Sequence, residues 1–172
     1  LREDGFEWWI RRVEHNRSLF DLLRIDHFRG LVACWEVPAG EKTGINGKWE
    51  KVPTAEFFTA LFQRVPVTSI VAEDLGTITP DVTALRRQWA IPGMKVLLFA
   101  FGDDSSKNPY LPHNYERECV VYTGTHDNNT ARGWFDSEAG EEERRNLIRY
   151  LGRRPEADEI LLALVRSAIR SV

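Results

Sequence analysis

The apolar run VTSIVAE, residues 67–73, ends abruptly in a carboxylate, and three other short apolar runs occur along the chain. They are LLRID (22–26), KVLLFAF (95–101) and CVVYT (119–123). Short, nearly continuous apolar runs are typical of strands that are buried on both faces of a parallel sheet. We therefore predict four buried strands, several of which deliver polar side chains at their carboxyl ends.

The segments around these runs place apolar residues at helical spacing, which predicts helices over 4–20 and 55–64, from Thr79–Pro80, from Ser137 to Gly152, and from Pro155. Asp4, Thr79 and Ser137 are the predicted N-caps of three of these helices. Three aromatic residues on these helices, Trp9, Phe57 and Trp89, are assigned to the core. The Gly- and Pro-rich stretch 38–53 is predicted to be a loop. Strands that alternate with helices predict an α/β protein with parallel βα units, in a sheet that is either open or closed into a barrel.

Composition narrows the class of protein. The chain has 172 residues, of which 42% are hydrophobic and 28% charged, so disorder and membrane spans are disfavoured. With 23 basic and 26 acidic residues the net charge is −3, which offers no electrostatic footprint for nucleic acid. Cys34 and Cys119 allow one disulfide at most, so a reduced, intracellular protein is expected.

Three carboxylates, Asp26, Glu73 and Asp127, are expected at one rim, because the carboxyl ends of parallel strands share an edge. Such a group suits either metal-assisted hydrolysis or glycosyl transfer. Arg24 favours glycosyl transfer. It precedes Asp26 by two residues, shares its face of the strand, and can keep that carboxylate ionised and oriented.

Each of these residues also has a structural interpretation. Arg24 and Asp26 could form an ordinary ion pair. Glu73 and Asp74 face opposite sides of the strand, and their positions alone leave open which of them enters the site.

The remaining candidates are similarly open. His126 and Asp127 could be metal ligands, a hydrogen-bonding clamp or the start of a polar loop. Trp35 and Trp49 could pack against the protein or stack on sugar rings. Zinc is disfavoured, because the four histidines are scattered along the sequence.

Several strings resemble the active-site segments of the 4-α-glucanotransferases, the amylomaltase or disproportionating-enzyme family. They occur in the same order over nearly the whole chain and include RIDHFRG (24–30), AEDLG (72–76) and YTGTHDNNT (122–130). The resemblance implies that Asp26 is the nucleophile, Glu73 the general acid/base and Asp127 a third, stabilising carboxylate. Arg24, His126 and Trp35 are the implied substrate-binding residues.

The resemblance also implies a retaining transfer of α-1,4-glucan segments between maltooligosaccharides, with no cofactor and no required metal. It implies a cytoplasmic enzyme, or a plastid enzyme if the source is a plant. Two alternatives remain: an α-glucan hydrolase of the α-amylase superfamily, and an inactive glucan-binding fragment.

The family's catalytic domain is a (β/α)8 barrel, which typically needs about 250 residues. We therefore expect residues 1–172 to be a partial barrel domain containing about strands 4 to 7. Unpaired strand edges and exposed apolar surface in such a piece predict self-association.

Overall fold

The computed structural model describes residues 1–156 and 158–171. The chain forms two compact units, residues 1–93 and residue 94 onward, and each is described by itself. Among the described residues, the strands form three separate pairs rather than one continuous sheet.

The first unit combines helices with two strand pairs. Its elements are, in chain order, α1 (Glu7–Leu19), β1 (Leu23–Ile25), β2 (Ala33–Glu36), β3 (Lys48–Lys51), α2 (Thr54–Phe62), β4 (Ile70–Ala72) and α3 (Pro80–Gln88). β1 and β4 are parallel, with Arg24 opposite Val71 and Ile25 opposite Ala72. This pairing confirms the parallel arrangement predicted for the first two apolar runs.

The core of the first unit gathers around β4 and α2. Phe58, Leu61 and Ile70 are fully buried there, and Phe57 is nearly so. Trp89 packs against this cluster while partly buried, so the core assignments of Phe57 and Trp89 hold. The assignment of Trp9 was wrong, since its side chain is exposed and lies edge-to-face against Trp8.

The loop predicted over 38–53 was wrong in part, because β2 and β3 form an antiparallel hairpin. Trp35 lies directly opposite Trp49, and the strands have mostly exposed side chains. No apolar run therefore marks these strands in the sequence. Contacts between facing side chains stabilise the pair instead.

Two helix starts in this unit test the predicted caps. Asp4 does not cap α1. Its Oδ1 accepts a hydrogen bond from the Phe6 amide at 3.1 Å, and the helix begins only at Glu7. α3 begins as predicted, with Thr79 at the N-cap and Pro80 in the first turn, although the Thr79 side chain makes no capping bond.

The second unit contains β6 (Cys119–Tyr122), paired with β5 (Gly93–Val96), whose first residue ends the first unit. The run 95–101 was predicted as strand throughout, but the strand ends at Val96 and the chain continues as the 3-10 helix Leu97–Ala100. Leu97 and Leu98 are buried. The apolar run thus predicts burial correctly, but it does not specify the backbone conformation.

Three helices follow in the described part of the second unit: α4 (Ala131–Gly133), α5 (Glu141–Leu151) and α6 (Ile160–Ile169). α4 continues as a π-helical turn, Trp134–Glu138, which contains Ser137. Ser137 is therefore not a cap. Its hydroxyl donates to the Gly133 carbonyl at 2.6 Å, and Gly140 is the N-cap of α5.

The ends of the last two helices differ in how well they were predicted. Gly152 ends α5 with a φ of 71°, a left-handed conformation that glycine adopts without strain, so this end is confirmed. α6 begins at Ile160, so the start predicted at Pro155 was wrong, and residue 157 of that prediction lies outside the described residues. Neither Cys34 nor Cys119 forms a disulfide. None of the helices in the described segments has the length and apolar character needed to cross a bilayer.

Candidate active site

The carboxyl ends of β1 and β4 bring two of the predicted carboxylates together. Asp26 directly follows β1 and Glu73 directly follows β4. The Glu73 amide donates to the Ile25 carbonyl at 2.9 Å, which extends the parallel ladder to the level of both acids. Because paired strands lie about 4.8 Å apart, the backbones of Asp26 and Glu73 are neighbours at one sheet edge.

The Glu73 carboxylate is held by two backbone amides. Its Oε2 accepts a hydrogen bond from the His27 amide and its Oε1 accepts one from the Leu75 amide, both at 2.8 Å. The Glu73 carbonyl in turn accepts from the Phe28 amide at 3.0 Å. Glu73 is therefore the acid that faces the chain segment containing Asp26.

Asp74 points to the interior. Its Oδ2 lies 3.0 Å from Nε of Arg86, and only 13% of the Asp74 side chain and 8% of the Arg86 side chain are exposed. The two neighbouring acids thus have different environments: one is hydrogen-bonded to amides beside Asp26, and the other belongs to a buried ion pair.

Arg24 and Asp26 form the ion pair that their spacing predicted. Nη2 of Arg24 lies 2.8 Å from Oδ1 of Asp26, and the side chains are 25% and 75% exposed. The guanidinium is therefore largely covered while the carboxylate faces solvent. This arrangement orients a carboxylate and leaves it accessible to a ligand.

His27 has a backbone conformation that the sequence did not indicate. Its φ of 46° and ψ of 55° lie in the left-handed region, which residues other than glycine seldom adopt. The chain turns here from β1 into the 3-10 helix Phe28–Leu31, and the turn directs the His27 amide at Glu73. A left-handed residue between two candidate catalytic groups is typical of functional sites, where surrounding contacts maintain the strain.

The hairpin presents an aromatic pair. Trp35 and Trp49 contact each other edge-to-face with ring centroids 5.4 Å apart, and both are about half exposed. Nε1 of Trp35 donates to the Gly44 carbonyl at 2.8 Å, which anchors the ring to its own loop. The two rings therefore pack against each other and still present surface, and their stacking on sugar rings stays a prediction.

Arg29 was not singled out in the sequence, although it lies within the RIDHFRG string. Its guanidinium lies 4.4 Å from the centre of the Trp49 ring. Its Nη1 also donates to Oγ1 of Thr79 at 3.0 Å, in the segment that follows Glu73. Arg29 thus connects the hairpin to the start of α3, and only its contacts in three dimensions reveal this.

In the second unit, His126 and Asp127 lie in a tight turn after β6. Asn128 closes the turn by accepting a hydrogen bond from the Thr125 amide at 2.9 Å. Nε2 of His126 lies 3.4 Å from Oδ1 of Asp127, and the two side chains are 76% and 70% exposed. Within residues 1–156 and 158–171, no three His, Cys, Asp or Glu side chains group closely enough to hold a metal ion.

Comparisons with known proteins identify the family of the chain. A family model described as 4-alpha-glucanotransferase matches residues 1–172. The 4-alpha-glucanotransferase of Solanum tuberosum, named as chloroplastic/amyloplastic, is 49% identical over 100% of this chain and 29% of its own length. The 4-alpha-glucanotransferase of Aquifex aeolicus is 48% identical over 98% of this chain and 34% of its own length.

A solved structure extends the similarity to the fold. The amylomaltase from Streptococcus agalactiae, in complex with acarbose, superposes with a TM-score of 0.87 and 32% identity, over 99% of this chain and 34% of the amylomaltase. The chain spans about a third of the length of these relatives. It belongs to the 4-alpha-glucanotransferase family.

Proposed function

We propose that the protein transfers α-1,4-glucan segments between maltooligosaccharides with retention of configuration at the anomeric carbon. One observation carries the proposal: Asp26, paired with Arg24, and Glu73, held by the His27 amide, leave adjacent parallel strands at the same level. Retaining glycosidases need two carboxyl groups about 5–5.5 Å apart, and side chains from neighbouring strand ends can meet that requirement.

In the first half-reaction, an oxygen of Asp26 attacks C1 of the donor sugar. The bond between C1 and the glycosidic oxygen breaks as protonated Glu73 transfers its proton to that oxygen. The shortened glucan leaves with a free 4-hydroxyl group, and the remaining glucan is esterified to Asp26. Arg24 orients the attacking carboxylate.

In the second half-reaction, Glu73 accepts the proton of the 4-hydroxyl group of an acceptor glucan. That oxygen attacks C1, the ester bond to Asp26 breaks, and two inversions yield net retention. We assign Asp127 to the stabilisation of the distorted sugar, and His126 and Trp35 to sugar binding. Their exposure in the structure is compatible with these roles.

For the architecture, we propose that residues 1–172 form part of a single (β/α)8-barrel domain, about strands 4 to 7. The parallel pairing of β1 with β4 and the match to a third of an amylomaltase support this placement. The acarbose bound by that amylomaltase favours α-glucans as ligands. Bacterial and plastid relatives favour the cytoplasm, or the plastid in a plant.

Incubation with maltotriose tests the proposal. We expect release of glucose together with maltodextrins longer than the substrate, and no activity in Asp26→Asn. In Glu73→Gln, mass spectrometry is expected to detect a glycosyl adduct on Asp26 when the donor carries a leaving group that needs no acid. Arg11→Gln, which removes an exposed ion pair on α1, serves as the control.

The same assay separates the alternatives. A hydrolase accumulates reducing ends without chain lengthening, and a binding fragment shows heat of oligosaccharide binding without turnover. Either result would overturn the transfer proposal for this chain.

A further inference from the structure

We infer that the buried ion pair between Asp74 and Arg86, seated against Gly93, positions the carboxylate of Glu73. Arg86 is in this view a positioning residue, because it acts on the site through Asp74. The catalytic consequence rests on the role proposed for Glu73, whereas the geometric claim is independent of it.

The guanidinium group of Arg86 contacts Asp74 through one nitrogen and Ile91 through another. Arg86 lies on α3 and is 6% exposed. While its Nε faces Asp74 at 3.0 Å, its Nη1 donates to the carbonyl of Ile91 at 3.1 Å. The Ile91 amide donates back to the Arg86 carbonyl at 3.0 Å, and Ile91 is fully buried. The guanidinium therefore has little freedom to follow a displaced carboxylate.

Gly93 closes the other side of the Asp74 carboxylate. A Cβ atom at this position would lie 2.5 Å from Oδ2 and 2.7 Å from Oδ1 of Asp74. Glycine is required here by the close approach of the carboxylate, since any other side chain would displace Asp74 or the strand. The Ala72 amide, which donates to the Pro92 carbonyl at 2.8 Å, ties the two segments together beside this contact.

The position of Asp74 constrains Glu73 because consecutive residues at a strand end project to opposite sides. Holding Asp74 inside turns the Glu73 side chain outward, toward the His27 amide, which donates a hydrogen bond to Oε2 of Glu73 at 2.8 Å. If Asp74 moves outward, the shared peptide rotates and the Glu73 carboxylate leaves that amide. Buried ion pairs add little net stability relative to well-packed apolar residues, so stability alone does not explain this pair.

The His27 amide resonance provides the test. In the parent chain, Glu73→Gln replaces the carboxyl group that accepts from the His27 amide by a carboxamide, and we expect the 1H,15N signal of His27 to shift. In Arg86→Met and in Gly93→Ala backgrounds, the same Glu73→Gln change is expected to produce no shift, because the carboxylate has already left the amide. Arg86→Lys, which retains the charge but not the planar fork, is expected to give an intermediate response.

Val82→Ala is the matched control. Val82 is a buried residue of the same helix, so its truncation is expected to lower stability while both members of the Asp74–Arg86 pair are kept. In the Val82→Ala background, Glu73→Gln is expected to shift the His27 amide signal by as much as it does in the parent chain. If Glu73→Gln shifts the His27 signal in the Gly93→Ala and Arg86→Lys backgrounds as much as in the parent chain, the inference is overturned. These two variants decide the question even if Arg86→Met does not fold.

A kinetic measurement separates this inference from the proposed function. A misplacement of about 1 Å can cost about 10²-fold in rate, so we expect kcat for maltotriose transfer to fall by roughly that factor in Gly93→Ala, with KM little changed. A parent chain without turnover would count against the proposed function, while the resonance measurement would still decide the positioning role of Arg86.

Discussion

Arg24 reaches Asp26 with a 2.8 Å contact between Nη2 and Oδ1, and most of the carboxylate remains open to solvent. An ion pair this exposed contributes little to stability, with a median of about 0–1 kcal/mol. The covered guanidinium and the open carboxylate instead favour orientation of a reacting group. The following experiments test this arrangement and the scaffold around it.

Replacing Arg24 by Lys should separate orientation from stability. Lysine keeps the charge but loses the planar fork, so we expect the rate of glucan transfer to fall about tenfold or more, equivalent to roughly 1.4 kcal/mol or more in the barrier. The midpoint of urea unfolding should change little. Arg11→Lys, in the exposed pair with Glu7, should change neither quantity. Loss of stability with an unchanged rate would contradict the proposed orientation.

Two glycines in the hairpin loop make a matched pair. A Cβ atom on Gly47 would collide with the Trp35 indole and lie 2.9 Å from the Glu36 carbonyl oxygen, whereas one on Gly44 would have its nearest neighbour at 3.9 Å. We expect Gly47→Ala to lower the free energy of unfolding by about 1–3 kcal/mol through overpacking, and Gly44→Ala to be nearly neutral. Denaturant titration followed by tryptophan fluorescence measures both. Equal losses of unfolding free energy in the two variants would show that the collision with Trp35 does not cause the destabilisation.

Arg29 is expected to stabilise the hairpin against the start of α3. Arg29→Ala removes the contact with the Trp49 ring and the hydrogen bond to Thr79, which together should cost about 1–2 kcal/mol in the free energy of unfolding. Arg29→Lys should recover part of this loss through the ring contact. Hydrogen exchange should locate the weakening in β2 and β3. An effect confined to the core helices would argue against this connection.

Stability on the acid side should depend on Glu7. Hydrogen bonds from Arg11 and Arg64 lower the pKa of Glu7 below its usual value, so the folded chain binds a proton less readily than the unfolded chain. The associated stability is present above the ordinary glutamate pKa and is lost as the pH falls through the lowered value. We therefore expect Arg64→Met to reduce Tm at pH 7 more than at pH 3.

Arg64 also contacts Glu14, with its Nε 2.7 Å from Oε1 of that residue, so the comparison needs a reference. Glu7→Gln should remove part of the pH-dependent difference between the parent and Arg64→Met. A difference in Tm that is the same at both pH values would mean that packing, rather than charge, explains the effect of Arg64.

Self-association is expected from exposed apolar side chains between α1 and β1. Leu19, Phe20 and Leu22 are more than half exposed and lie within four consecutive positions at the end of α1 and directly after it. We expect light scattering to report a mass above the 19.8 kDa of one chain, and the double variant Phe20→Ser/Leu22→Ser to shift it downward. Ile45→Ser, at an isolated exposed position of the hairpin loop, should have no such effect. A stable monomer at high concentration would contradict this expectation.

Periodicity and motif spacing in the sequence were sufficient for the α/β class, for the parallel relation of β1 to β4, and for the approach of Asp26 to Glu73. These features depend on local alternation and on the shared edge of parallel strands, both of which a linear pattern records. Periodicity also located α2 closely, and the end of α5 at Gly152 followed from the need for a left-handed residue there.

Tertiary contacts decided the remainder. The orientation of Glu73 relative to Asp74 depends on Arg86 and Gly93, which are 12 and 19 positions beyond Asp74 in the numbered sequence. The hairpin depends on Trp35 facing Trp49, and the left-handed His27 depends on contacts that hold its amide against Glu73. None of these has a local signal, because each energy arises between residues that only folding brings together.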